Sequence, residues 1–502
     1  MSTVWFRAAR SRRSFLRLAA LVGGAPLAAA CGAAAPTPTP PPAKAAEKPA
    51  AAPTTAPAAA ATKPAEPAKP SAAATKPAEP TKPAAAAPPA AAGQPELVIW
   101  DNANDPKTSQ KNVEAFYAAY NRAQNKVRVK GVHGQPSDKF LAGLSAGSPP
   151  NVFYMWGGEE ALGNWAQKGL ILPIEDRVKA LNFDTAQILP TALAVCKYKG
   201  KLYGLPQLGD GQFFFGNAAS AKEAGLDPKK PPVSWDDWNE WTTKLTKKDG
   251  YGSITQLGSN VPSGWSLWNV VWSFGAETFN SEVSQVTPDN AGVIAALTFL
   301  QQWVGKIGYD AAKRFSGGLG SNVSPQNPFI LGQLPSVIDG EWTLRYLREF
   351  KPEWQIDRDF IVESVPYPKG KAELASSMHL ATYPWVIGKG AKNFDESAEW
   401  IVWAAGNKDA QVEYALAQMN LTMLIPALKD ERVSKAPGFS KNVQIVLESK
   451  NVKTNPPTPI TEMFADLFLK EADIIISGKE SPAEGMAKVK QRVQPELDKA
   501  RA

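Results

Sequence analysis

Sixteen tryptophans in 502 residues, all but Trp5 lying beyond position 31, are the side chains from which a chemistry can be read. An indole face packs on the flat C–H patches of a sugar ring, while short polar side chains at its rim pair with hydroxyls. That pairing recurs along the chain: Trp100 precedes Asn102, Asn104 and Asp105; Trp156 precedes Glu159; Trp342 follows Asp339 and Glu341. Trp265 and Trp268 stand near Asn269, and Tyr383-Pro384-Trp385 form a third aromatic cluster, both in stretches that read as loops. Asp210 is a further acid that can bond a hydroxyl or turn a loop.

Other tryptophans read as core. Trp235, Trp238, Trp241, Trp303, Trp400 and Trp403 fall at helical spacing. Trp100 and Trp156 end strands, where a side chain can point to either face. His133 and His379 are the two histidines, far apart, and read as surface or satisfied buried groups. No His-x3-His, Cys-x2-Cys or acidic calcium loop occurs, so no metal or cofactor is expected. Cys31 and Cys196 are too few for a disulfide framework.

The elements that must position these residues begin at Pro95. Glu96–Trp100 is a short apolar strand, Ser109–Arg122 carries Val113, Phe116 and Tyr120 on one helical stripe, and Lys126–Val132 alternates like a strand. A helix over Ser137–Ala146, a strand over Asn151–Trp156 and a helix over Glu159–Gln167 follow. Strand and helix alternating in units of about 25 residues predict an α/β fold, a parallel sheet covered by helices, with ligands beyond the carboxyl ends of its strands. Ser234-Trp235-Asp236-Asp237 has the pattern of a helix capping box. Further helices fit Asp289–Lys306, Asp395–Ala405, Asp409–Gln418 and Thr461–Ile476.

Charge narrows the partners. The net +7 comes from five arginines before Cys31 and a lysine excess of three over residues 32–94; the rest of the chain is close to neutral. A body without a broad basic face does not fit a polynucleotide, so no nucleic acid is expected. At 44% hydrophobic and 21% charged residues, with mean hydropathy −0.26, a multi-span membrane protein is excluded.

Residues 11–17, Ser-Arg-Arg-Ser-Phe-Leu-Arg, resemble a twin-arginine export signal, and the apolar run to Ala30 is too short to span a bilayer. Ala28-Ala29-Ala30-Cys31-Gly32 resembles a bacterial lipoprotein processing site, with Ala28 where an aliphatic residue is preferred. Lipidation at Cys31 is the expectation for segment 1–31; cleavage after an Ala-x-Ala is the alternative. Residues 32–95 are rich in Ala and Pro, and Ala-Thr-Lys-Pro-Ala-Glu-Pro occurs at 61–67 and 74–80. With no aromatic residue to offset chain entropy, a disordered, semi-stiff linker is expected, reaching up to about 200 Å in polyproline conformation.

Four stretches, in order, resemble the extracellular solute-binding proteins of ABC importers, especially the sugar-binding branch. They are Leu141–Val152 with its Ser-Pro-Pro-Asn-Val end (Asn151 where the family has Asp), Tyr198–Pro206, Asn217–Trp235 and Asp339-Gly340-Glu341-Trp342. The resemblance covers 96 to about 490. It implies a periplasmic-binding-protein-like fold of two lobes joined by several hinge crossovers: lobe 1 over 96–207 and 366–405, lobe 2 over 208–365 and 406–502. It also implies a monomeric receptor, not an enzyme, that closes on a carbohydrate or other small polar solute and delivers it to ABC permease subunits, anchored to the outer face of the cytoplasmic membrane. A peptide, polyamine or other polar organic solute on the same fold is the alternative. A secreted hydrolase is another: Gly143-Leu144-Ser145-Ala146-Gly147 matches a nucleophile elbow, but Ser145 ends an amphipathic helix instead of following a buried strand. Two carboxylates of a glycosidase are not excluded by sequence.

Overall fold

The computed structural model describes residues 94–105 and 107–502; the expectations for the signal, Cys31 and the linker fall outside the described residues. The strands that matter, in chain order, are β1 (Glu96–Trp100), β2 (Arg128–Val132), β3 (Val152–Tyr154), β4 (Gly204–Asp210), β5 (Gln212–Asn217), β6 (Ser336–Gly340), β7 (Phe360–Glu363), β8 (Ala381–Val386) and β9 (Leu421–Thr422). They form a six-stranded sheet, β9-β4-β8-β3-β1-β2, and a three-stranded sheet, β6-β5-β7. In the larger sheet β1, β2 and β3 are parallel, as the strand–helix alternation predicts, while β8, β4 and β9 are antiparallel additions.

The two sheets are joined by extended chain. β4 ends at Asp210, Gly211 intervenes, and β5 begins at Gln212 in the other sheet. β5 reads Gln-Phe-Phe-Phe-Gly-Asn because both of its faces are covered: Phe213 and Phe215 enter one core cluster and Phe214 another. The chain returns from β7 to β8 through residues 364–380.

Helices follow their apolar stripes. α1 (Ser109–Ala123) buries Val113, Phe116, Tyr117 and Tyr120; α2 (Ser137–Ser145) buries Phe140, which stacks on Phe153 at 4.3 Å. α3 (Gly158–Gln167) starts after Gly157. α4 (Trp235–Leu245) opens with the expected capping box: Asp237 N–H donates to Ser234 Oγ at 3.2 Å, and Ser234 N–H to Asp237 Oδ2 at 2.9 Å. α5 (Trp265–Ser273), α6 (Lys408–Gln418) and α7 (Thr461–Ile476) complete the set used below.

Four packed clusters of buried side chains result. One holds Leu97, Ile99 and Trp400 beneath the six-stranded sheet; a satellite holds Phe140, Phe153 and Trp165. Another gathers Trp235, Trp238, Trp268, Phe464 and Phe468, and another Phe213, Phe215 and Val362. Trp235, Trp238, Trp241, Trp303 and Trp400 are interior, as their spacing predicts. α6 serves two clusters, Ala410 and Tyr414 beneath the larger sheet and Val412 and Ala415 with β5.

Two local expectations are corrected. Trp265 and Trp268 lie on a helix, not a loop, because the Trp-Ser-Leu-Trp-Asn-Val-Val-Trp run is apolar on almost every side. Tyr383-Pro384-Trp385 is a strand interior: the register slips between Tyr383 and Pro384, so the proline's missing N–H falls at an irregularity in the ladder.

Candidate functional site

The carboxyl end of β3 delivers Trp156, which is 52% exposed although Met155 before it and Gly158 after it are buried. Its indole stacks on Tyr383 of β8 with centroids 4.2 Å apart and planes 5° from parallel. One aromatic face is thereby fixed on a buried ring and the other is left to solvent. Glu159, three residues on, enters the first turn of α3 and is buried, with Oε2 accepting from Thr382 N–H at 3.4 Å. Burial first, and then the Glu160 charge, push its carboxyl up to about 8, so it holds its proton at neutral pH.

Across from these residues, Trp342 follows β6, and its ring lies 5.4 Å from that of Trp265 at the start of α5. Gly340 is required there, since a Cβ would fall 2.2 Å from the Trp342 ring. Trp265 in turn lies 5.5 Å from the imidazole of His379, which packs on Trp272 at 4.9 Å. His379 Nε2 is 3.8 Å from Glu159 Oε1, beyond hydrogen-bond reach. Trp156, Tyr383, Thr382, Glu159, His379, Trp265 and Trp342 thus form one contiguous chain of contacts drawn from both sheets. A separate cavity of about 560 Å³, with Trp272, Glu277, Thr278, Asn280, Lys453 and Thr454 in its wall, is lined by none of these seven side chains.

Asp210 and Glu341, expected to meet a solute, instead tie the crossovers together. Asp210 Oδ2 accepts from Tyr383 Oη at 2.7 Å and Oδ1 from Asn420 Nδ2 at 2.6 Å. Glu341 Oε2 accepts from Gly211 N–H at 3.1 Å, and Oε1 from Leu421 N–H at 3.1 Å and Asn420 Nδ2 at 3.2 Å. Each of the four oxygens accepts at least one hydrogen bond. Burial pushes Asp210 up to about 6, and burial together with the Asp210 charge holds Glu341 well above the usual carboxylate range.

Trp268 and Trp385, each 1% exposed, are core and not groove. Trp268 stacks on Phe468 at 4.6 Å; Trp385 packs edge-on against Trp400 at 4.8 Å and donates Nε1–H to Gln207 Oε1 at 3.0 Å. Trp100 is half-buried beside Leu141 and Leu144 of α2, in the satellite cluster. Asn102 is half-buried and Asp105 exposed past the end of β1. Burial acts to raise Asp105, but hydrogen bonds from Thr108 and the Lys107 amide, with Arg345 beyond, hold it below its ordinary value.

Sequence reasoning set His379 aside as a surface or satisfied buried group and did not mark Thr382, Asn420 or Arg345. Arg345 reaches from the helix after Trp342 to Gln418 and to Tyr346 Oη. The signal for His379 was present: a lone histidine inside the apolar run Met378–Ala381. Among the described residues, no group of three or more His, Cys, Asp or Glu side chains is placed to hold a metal ion.

The chain belongs to the bacterial extracellular solute-binding protein family, whose model matches residues 115–444. Its fold is that of the two-lobed periplasmic binding proteins. CpMnBP1 with mannotriose bound superposes with TM-score 0.69 at 24% identity, over 80% of this chain and all of that one. UgpB from Mycobacterium tuberculosis in complex with glycerophosphocholine superposes with TM-score 0.65 at 16% identity, over 82% of this chain and all of that one. Among curated proteins, a probable amino-acid ABC transporter periplasmic-binding protein of Sinorhizobium fredii is 34% identical over 93 residues, 18% of this chain. The sn-glycerol-3-phosphate-binding protein UgpB of Salmonella paratyphi A is 25% identical over 177 residues, 33% of this chain. Those matches span 22% and 38% of the two relatives' own lengths.

Proposed function

We propose that this protein is the solute receptor of an ABC importer and captures a neutral carbohydrate, an oligosaccharide, between two α/β lobes that close on it. The observation that carries this reading is the Trp156–Tyr383 stack, a fixed indole whose outer face is open beside polar side chains. Such a platform matches the C–H face of a pyranose, and the Trp342–Trp265 pair offers a second aromatic surface. Trp156, Trp265, Trp342 and Glu159, with Asn102 and Asp105 at the rim, are the proposed contacts. Tyr383 supports the platform from beneath.

Lobe 1 is proposed over 96–207 and 366–405, and lobe 2 over 208–365 and 406–502; the end of β4, β9 and part of α6, which fall in the second span, also pack into the larger sheet of the first. Export through the twin-arginine-like segment, lipidation at Cys31 and the Ala/Pro-rich linker complete the proposal: a monomer held at the outer face of the cytoplasmic membrane, binding without turnover and handing its solute to permease subunits.

The curated relatives named for amino acids and glycerol phosphate favour a second reading, a small charged solute. The buried groups weigh against it, being carboxyls with raised pKa and a neutral imidazole. Titration with mannotriose, maltotriose, amino acids, short peptides and glycerol 3-phosphate, followed by tryptophan fluorescence, separates the two. Glycans alone are expected to shift the emission; a response to the charged solutes only would replace the carbohydrate reading. Release of new reducing ends from an incubated oligosaccharide would overturn the receptor reading in favour of a hydrolase.

A further inference from the structure

His379 is 1% exposed, and neither ring nitrogen has a hydrogen-bond partner. Two more polar atoms beside it share that condition: Nε1 of Trp265, whose ring it faces, and Oγ1 of Thr382, whose amide donates to Glu159. Buried polar groups in folded proteins are paired in more than about nine cases in ten. Three orphaned side chains at one place, with the His379 imidazole 3.8 Å from the Glu159 carboxyl and the Thr382 amide bonded to it, are therefore a cluster of exceptions.

The backbone around the imidazole, by contrast, is firmly held. His379 N–H donates to Asn269 Oδ1 at 2.8 Å, and Asn269 Nδ2 donates to Gln212 Oε1 at 2.6 Å. Met378 and His379 pair in parallel with Val452 and Lys453. Trp265 and Trp272 flank the ring and fix its direction. A rigid mount under unused polar atoms is the arrangement of a binding group and not of a misfitted core residue.

We propose that His379, Thr382 Oγ1, Trp265 Nε1 and Glu159 form one polar subsite that grips adjacent hydroxyls of a single sugar ring. This rests on the carbohydrate reading and names the side chains that make it selective. A neutral imidazole offers one donor and one acceptor, an indole one donor, and a threonine hydroxyl both. Burial drives His379 down to about 3 and Glu159 up to about 8, so neither carries charge at neutral pH. Hydroxyls, which donate and accept together, satisfy such a set. A phosphate would enter with its charge uncompensated. His379 sits on the segment returning between the sheets, Thr382 in β8, Glu159 in α3 and Trp265 in α5, so the subsite is assembled from elements of both proposed lobes and would open as those lobes part.

The test compares His379→Phe, which keeps the ring volume and removes both nitrogens, with His379→Gln, which keeps one donor and one acceptor. Thr382→Val removes the hydroxyl without changing shape. Mannotriose and maltotriose affinities are measured by calorimetry at pH 7.5, alongside urea unfolding of each unliganded variant. The expectation is that His379→Phe weakens binding at least about 10-fold and Thr382→Val several-fold, that His379→Gln recovers most of the loss, and that none of the three lowers unliganded stability appreciably. Unchanged affinity in His379→Phe with intact wild-type binding overturns the subsite and leaves the carbohydrate reading standing. Wild-type protein that binds neither glycan overturns both.

Discussion

Trp156 is an exposed aromatic that is nevertheless held in place. Its stack on Tyr383 removes the rotational freedom that makes most surface tryptophans poor recognition elements, and Tyr383 is itself fixed by its hydrogen bond to Asp210. Trp156→Ala is expected to lower glycan affinity by roughly 30-fold, about 2 kcal/mol, as for a central aromatic anchor. Unfolding free energy should move by less than about 1 kcal/mol, since the ring is half in water. Isothermal titration and urea melts read the two quantities separately, and a fall in stability with affinity intact would make Trp156 a packing residue.

Protonation gives a second residue-scale expectation. Glu159 has an ordinary carboxyl value of 4.5 and is raised to about 8 in the fold. The folded protein therefore binds the extra proton between those values, and the stability this contributes is lost as pH rises through 8. His379, lowered from 6.5 to about 3, acts with the opposite sign, but only below pH 6.5. Between pH 6.5 and 8 unfolding free energy should fall with increasing pH, at up to about 1.4 kcal/mol per unit for one such proton. Glu160, raised to about 7, adds in the same direction, so Glu159→Gln should flatten the slope without abolishing it. A slope in the variant equal to wild type would refute the buried, protonated state of Glu159.

Elements were legible where a side-chain period set them. The capping box of α4 is written in Ser234 and Asp237, and α7 runs over Thr461–Ile476 as its apolar stripe predicts. Ser234→Ala removes the acceptor for Asp237 N–H and should cost about 1 kcal/mol of unfolding free energy, readable as a lower urea midpoint. No change there would mean that the Asp237 half of the box suffices. Elements without a period of their own were not legible. α5 is apolar on nearly all sides, and β8 holds a proline that only its bulge tolerates. The same limit applies to the site. Tryptophan-plus-acid pairs marked the region, but whether an acid faces solute or backbone depends on tertiary partners: Glu341 meets Gly211 and Leu421, 130 and 80 residues away in sequence.

For the whole molecule, the two-sheet architecture followed from strand–helix alternation and four family-like stretches, because covering a parallel sheet with helices leaves few topologies. The motion follows from where the sheets' elements touch. α3 packs with the larger sheet, and its Gly163 lies so close to Pro457, ahead of α7, that a Cβ would fall 2.3 Å from the Pro457 carbonyl oxygen. α7 is packed with Trp268 in a different cluster. The approach of α3 to residues 457–458 therefore joins elements of the two proposed lobes, and under the proposed hinge closure it is a contact that the closed form would make. Gly163→Ala should penalise that form alone, since backbone oxygen cannot yield as a flexible side chain would. Wild-type protein is expected to become more compact in small-angle scattering when mannotriose is added. The variant should bind at least about 10-fold more weakly and compact less, because closure must now pay the added clash, while its unliganded urea midpoint stays near wild type. A large drop in that midpoint with unchanged affinity would instead make the contact part of a permanent core, and the halves would not part along this seam.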